Sequence, residues 1–188
     1  MAAIRGRTSW CESGGGTTAV PDATGLELIA QDIREADAES VLDAVWFRGR
    51  ATLIVNPPAI KPVLEALRGK GYRFLASLHG VDYWPQEPRL GVIYELLDME
   101  KVDRISVKVR VHTESPHVDS VMDMWPGANH QEREVFDMFG VVFDGHPDLR
   151  RILMPEDYEG WPQRRDFPIG GEPVIFTYNE DRVKGYPE

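Results

Sequence analysis

The sequence predicts a two-layer α+β fold, with helices packed on a mostly antiparallel sheet and a long irregular C-terminal extension. Three observations carry that expectation. Periodic segments come in runs (helix, two strands, helix, three strands, two helices), as layered folds of mixed type require. Residues 104–112 alternate without a break: Ile105, Val107, Val109 and Val111 are apolar, while Arg104, Ser106, Lys108, Arg110 and His112 are polar. One face of that strand must be buried and the other wet, or covered by a polar partner. After Gly140 the periodicity stops, and residues 144–188 hold six prolines, so neither helix nor central strand is expected there.

The elements follow in order. Leu26, Ile29, Ala30 and Ile33 share one face of a helix, with Thr24 and Glu27 at capping-box spacing. Residues 41–47 and 51–55 are short apolar runs joined around Gly49, which reads as a hairpin. Pro57-Pro58 stops the second strand and opens a helix with Ile60, Val63, Leu64 and Leu67 on its inner face, ended by Gly69 or Gly71. Pro62 lies early enough in that helix to be tolerated. Strands are expected over 72–81, 90–97 and 104–112. A short helix from Ser115-Pro116 would turn Val118, Val121, Met122 and Trp125 inward. A last helix would be capped by Asn129, with Glu132 completing a capping box, and would end at Phe139 with Gly140 beyond it.

Residues 1–24, rich in Gly, Ser, Thr and Ala, are expected to be disordered; residues 25–143 form the α+β domain. Residues 144–188 are expected to lie extended on partner subunits, because Tyr158, Trp161, Phe167, Phe176, Tyr178 and Tyr186 are spread along them.

Composition narrows the function. The 188 residues carry a formal charge of −10, from 31 acidic and 21 basic side chains, which disfavours nucleic acid and anionic lipid and leaves proteins as the default partners. No apolar run is long enough for a bilayer, and Met1 to Gly25 lack the apolar segment of a secretory signal. The expectation is therefore a place on the cytoplasmic side of any membrane the chain serves. Cys11 is the single cysteine, short of the ligand sets that clusters and structural zinc require. Gly14-Gly15-Gly16 lacks the lysine of a phosphate loop.

The informative segment runs from Glu132-Arg133-Glu134 through Asp137, Met138, Phe139 and Gly140 to His146, Arg150, Arg151, Ile152 and Leu153. Arg133 and Asp137 stand at i, i+4 on one helix face, and Arg150 and Arg151 are available for carboxylates on the helix or on a partner. Further on comes Pro162-Gln163-Arg164-Arg165-Asp166-Phe167-Pro168. This pattern resembles the C-subunit family of respiratory complex I, NADH:quinone oxidoreductase, called the thirty-kilodalton subunit in mitochondria. The likeness covers residues 26–170, with Arg165 where the family's tail motif has lysine and Gly80-Val81-Asp82-Tyr83 echoing an upstream strand.

The resemblance implies a peripheral-arm subunit packed against the quinone-site D subunit and the cluster-bearing B subunit. It implies no flavin and no cluster on this chain, those cofactors belonging to partners, and no catalytic residue. Membrane association would be indirect. Related domains serve hydrogenases and complexes fed by other donors.

For Glu132, Arg133, Glu134 and Asp137 the bland alternative is a solvated, self-paired helix face; the functional one is a contact surface for another subunit. With His146, Arg150, Arg151, Arg164, Arg165, Asp166 and Phe167 they make up the expected partner interface. The rival from another class is a small metal-dependent hydrolase built on His130, Glu132, Glu134, Asp137 and His146. Its spacing is unfavourable, since Glu132 and Glu134 project about 200° apart on a helix. His79 and His112 read as strand residues.

Overall fold

The computed structural model describes residues 25–168. Helix α1 spans Leu26–Ala36, strands β1 Val41–Phe47 and β2 Arg50–Val55, and helix α2 Ile60–Gly69 after a 3-10 turn at Pro57–Ala59. Strands β3 Phe74–Asp82, β4 Leu90–Asp98 and β5 Asp103–Val111 follow, then β6 His117–Asp119, helix α3 Ala128–Phe139 and β7 Val142–Asp144. The fold is α+β, as the run-wise order of elements predicts.

The main sheet has the order β1-β2-β5-β4-β3, and all its pairings are antiparallel except β2 with β5. Arg48 and Gly49 both have positive φ, 52° and 74°, which closes the β1–β2 hairpin with the twist its strands need. One face of the sheet is the core. Leu53, Val92, Tyr94, Leu96, Ile105, Val107 and Val109 are fully buried on it, in one cluster with Ala30 of α1 and Ile60, Leu64 and Leu67 of α2. Alternation in β5 thus builds the sheet's inner face, and each such aliphatic side chain contributes about 1.5–3 kcal/mol of burial.

Helix α3 also packs on the inner face, where Gly80 of β3 lets the Phe139 ring lie against the strand; a Cβ there would overlap that ring.

Two expectations need correction. The helix from Ser115-Pro116 does not form. Residues 117–119 are extended and pair in parallel with β7, and turns carry the chain from Val121 to Gly127. Pro116 keeps Ser115 extended, and the strand bonds offered by β7 outweigh the helical spacing. Val118, Val121 and Trp125 are nonetheless buried, joined by Met124 in place of Met122, and the Trp125 indole donates to the Arg73 carbonyl at 2.8 Å.

The second correction concerns the start of α3. Gly127 occupies the cap and no side chain caps the helix. The turn at Trp125-Pro126 takes the first amides instead, with Ala128 N–H bonded to Trp125 O and Asn129 N–H to Pro126 O. Glu132 is released from the expected capping box. Gly140 ends the helix in the left-handed conformation, φ 74°, as expected. The capping role of Thr24, the disorder of residues 1–24, Cys11, and the aromatics Phe176, Tyr178 and Tyr186 lie outside the described residues.

Candidate functional site

Helix α3 places its two internal carboxylates on opposite sides. Glu132 is fully buried and accepts hydrogen bonds from Ser120 Oγ at 2.7 Å and from Val121 N–H at 2.8 Å. The His146 ring, inaccessible to solvent, brings Nε2 to 4.0 Å from Glu132 Oε2. Asp148 N–H donates to His146 Nδ1 at 3.1 Å, so the neutral ring carries its proton on Nε2, which at 4.0 Å from Glu132 is too far to bond it. Burial raises the Glu132 pKa, against the lowering effect of its Ser120 and Val121 donors. Burial likewise lowers that of His146. The Tyr94 hydroxyl lies wholly buried without a hydrogen-bond partner among the described residues, its pKa raised by burial and then by the Glu132 charge. This is a small polar island within an apolar core.

Asp137 organises the chain beyond the helix. Its Oδ2 accepts three consecutive amides, Ile152 at 3.1 Å, Leu153 at 2.7 Å and Met154 at 2.8 Å, and its Oδ1 accepts the Arg151 guanidinium at 2.7 Å. Burial pushes this carboxyl up, but the Met154, Leu153 and Ile152 amides and Arg151 together hold it below the ordinary value. Arg133 bonds the Arg150 and Arg151 carbonyls, both at 3.1 Å, instead of pairing with Asp137. Arg151 reaches on to the Gly160 carbonyl at 2.9 Å and lies over the Trp161 ring at 4.7 Å.

The tail motif is then laid across the end of α3. Trp161 meets Phe136 edge to face, 5.3 Å between centroids, and occupies the space left by the missing side chain of Gly140. Arg164 donates to the Phe139 carbonyl at 2.6 Å. Asp166 accepts from Arg89 at 2.6 and 2.8 Å, and Arg89 donates to Asp82 at 2.6 and 2.7 Å. Arg165 N–H closes the ring by donating to Asp82 at 2.8 Å. Arg89 and Asp82 are almost wholly buried, and Arg89 above all holds the Asp82 pKa down at about 2. Phe167 stacks on Tyr158.

The residues singled out from sequence thus fall into two groups. Glu132, Asp137, Arg133, Arg151, Arg164, Asp166 and the half-buried Phe167 are engaged within the chain, and His146 is enclosed in it. Glu134, Arg150 and Arg165 are exposed. Up to Pro168 the C-terminal extension lies on its own domain.

His130 is exposed, and among the described residues no group of three His, Cys, Asp or Glu side chains is placed to hold a metal ion. His79 is an exposed residue of β3, and His112 follows β5 with Nδ1 3.4 Å from Glu87. Sequence reasoning missed Arg89, Ser120 and Tyr94. Arg89 gave one faint signal, a cation at a strand start seven residues after an aspartate; Tyr94 reads simply as a core aromatic.

Comparisons with known proteins agree on a family. Residues 53–173 match the model of the respiratory-chain NADH dehydrogenase 30 Kd subunit. The C subunit of NADH-quinone oxidoreductase from Roseiflexus sp. (strain RS-1) is 46% identical over 168 residues, covering 88% of this chain and 94% of the relative. NADH-quinone oxidoreductase subunit 5 of Thermus thermophilus is 40% identical over 137 residues, covering 68% of this chain and 66% of the relative. Among solved structures, a trypsin-resistant fragment (1-134) of Nqo5 aligns with TM-score 0.57 and 34% identity, covering 66% of this chain and 98% of the fragment. A chain of the membrane-bound sulfane sulfur reductase, an archaeal respiratory membrane complex, aligns with TM-score 0.63 over 86% of this chain and 95% of its own length; at 24% identity the likeness is one of fold.

Proposed function

The chain belongs to the family of the respiratory-chain NADH dehydrogenase 30 Kd subunit, and from that membership we propose that it is a cofactor-free scaffold subunit of NADH:quinone oxidoreductase. In this reading it sits in the peripheral arm on the cytoplasmic side of the membrane, held there through the other subunits of the complex. It contacts the quinone-site D subunit and the cluster-bearing B subunit, while flavin and iron–sulfur clusters are carried by partners. Its contribution to electron transfer from NADH to quinone, and to proton pumping, is to keep the quinone-reducing module in place.

One observation carries the reading. Two charged side chains of the signature helix are spent on fixing residues 150–154: Arg133 bonds the Arg150 and Arg151 carbonyls, and Asp137 accepts three successive amides and the Arg151 guanidinium. Groups so engaged supply a rigid shape rather than a proton or an electron pair. That shape presents Glu134, Arg150, Arg165 and the exposed Leu153 outward, residues suited to a contact with register-setting charge.

The test is purification of the tagged chain from gently solubilised native membranes. Co-purification of flavin, iron–sulfur subunits and NADH:quinone activity is expected. Recovery of the chain alone, with stoichiometric bound metal, would overturn the reading in favour of a metal-dependent hydrolase. The fold shared with a sulfane sulfur reductase chain favours a second reading, the same scaffold role in a complex with another electron donor. The donor activity that co-purifies separates the two.

A further inference from the structure

The outer face of the main sheet is not explained by the packing within the described chain. Since Leu53, Val92, Tyr94, Val107 and Val109 point into the core, strand alternation puts their neighbours on the opposite side. Register aligns those neighbours in rows. One row reads Asp43, Ile54, Lys108, Ile93, His79, and the next Val45, Thr52, Ser106, Glu95, Ser77. Val45 and Phe47 are 39% and 65% exposed, large apolar side chains at one end of this face.

The charge of this face runs against that of the chain. The whole chain carries 31 acidic and 21 basic residues, yet here Arg50, Arg104, Lys108 and Arg110 stand against Asp43 and Glu95. Of those two carboxylates, Glu95 accepts the Ser106 hydroxyl through Oε1 at 2.8 Å, while its Oε2 is shielded from water and has no hydrogen-bond partner among the described residues. Tyr83 lies flat in the space left by Gly91, with Arg110 Cζ at 4.5 Å and Lys108 Nζ at 5.2 Å from its ring centre. Among the described residues, Arg110 Nε and Nη2 are shielded from water and have no hydrogen-bond partner. Unmet guanidinium donors beside a basic stripe are costly unless an acceptor arrives.

We propose that this outer sheet face, centred on Ile54, Ile93, Lys108 and Arg110, docks a segment of another subunit of the complex that presents Asp or Glu among apolar side chains. The proposal rests on the scaffold reading and adds to it the surface and the chemistry of its partner. Ile54, Ile93, Val45 and Phe47 supply buried area, and the cations set register and select the partner's carboxylates. A second copy of this chain would bring like charges together, and a nucleic acid or anionic lipid surface would meet apolar side chains and an acidic chain.

The test uses the full-length tagged chain expressed in its native host, with a benzophenone amino acid in place of Phe47 and, as control on the helical layer, in place of the exposed Leu28. After irradiation and gentle solubilisation, the Phe47 position is expected to link to one subunit of the co-purifying complex, at a peptide bearing Asp or Glu. Combining it with Arg104→Glu and Lys108→Glu is expected to lower that link at least tenfold. Should the charge-reversed chain fail to fold, the same loss is expected from the parent chain when irradiated in 0.5–1 M salt, about a 3 Å screening length at the upper end.

Linkage to residues 169–188 of the same chain or to a second copy overturns the proposal, as does an undiminished link after charge reversal. If the complex co-purifies and position 47 links to nothing, the proposal fails while the scaffold reading stands. If no complex co-purifies at all, the scaffold reading fails and this inference falls with it.

Discussion

Arg89 and Asp166, 77 positions apart in the chain, are joined by two charge-assisted hydrogen bonds of 2.6 and 2.8 Å. The same guanidinium holds Asp82, so one buried arginine ties the tail motif to the end of β3. The extension thereby becomes part of the domain up to Pro168.

Replacement of Arg89 by Met is expected to cost about 3–5 kcal/mol, because it leaves the buried Asp82 carboxylate without its counter-charge. Arg89→Lys is expected to recover less than half of that, since an ammonium cannot fork to two carboxylates. Denaturant melts of the three proteins measure both; a neutral Arg89→Met would remove the clasp as a stabilising feature.

Removal of Asp166 acts on the tail more than on the domain, because Asp166 is 47% exposed and its pair is partly screened. Asp166→Ala should lower stability by no more than about 1 kcal/mol. It should still speed tryptic cleavage at Arg164 and Arg165 several-fold, as followed by mass spectrometry. Equal cleavage rates would mean that Trp161 and Arg164 hold the segment unaided.

The acid limb of stability should report the clasp. The Asp82 pKa is lowered, from an ordinary 3.8 to about 2, so its stabilisation is complete above about pH 4 and is lost as pH falls toward 2. The loss amounts to about 2 kcal/mol. Melts across pH 2–5 should show this slope in the parent chain and a flatter one in Arg89→Met.

Glu132 should act with the opposite sign. Its pKa is raised by burial, so its favourable contribution is present below about pH 4.5 and is lost as pH rises through the folded value. Glu132→Gln keeps an acceptor for the Val121 amide, turns its NH2 toward the Ser120 hydroxyl as a donor, and removes the titration. Its stability is expected to gain on the parent's as pH rises from 4 to 8, measured as the difference in melting midpoint; a constant difference would show that Glu132 does not titrate in this window.

Gly140→Ala combines a left-handed backbone with a Cβ that would strike the Trp161 ring. Strain of about 1–2 kcal/mol is expected, together with displacement of Trp161 from Phe136. Tryptophan fluorescence should shift to the red as the indole becomes wetter.

The layers are legible from periodicity alone, because burial follows period: Ile105, Val107, Val109 and Val111 on one face of β5, and Ile60, Val63, Leu64 and Leu67 on one face of α2, have no other stable arrangement. The sequence also marked Glu132, Asp137, Asp166 and the tail arginines, through a resemblance carried by short motifs. What those side chains touch is set by long-range packing. Glu132 looked like a capping residue because Asn129 stands three positions before it, yet the Trp125-Pro126 turn satisfied the first amides of α3, and the carboxylate turned inward to Ser120. Arg133 and Asp137 looked like a helical pair, worth only tenths of a kcal/mol; three successive amides from Ile152, Leu153 and Met154 offered Asp137 more. Local spacing encodes which residues can be neighbours along one element. The partner that an internal charge finally takes is set by which donors the rest of the fold brings within reach.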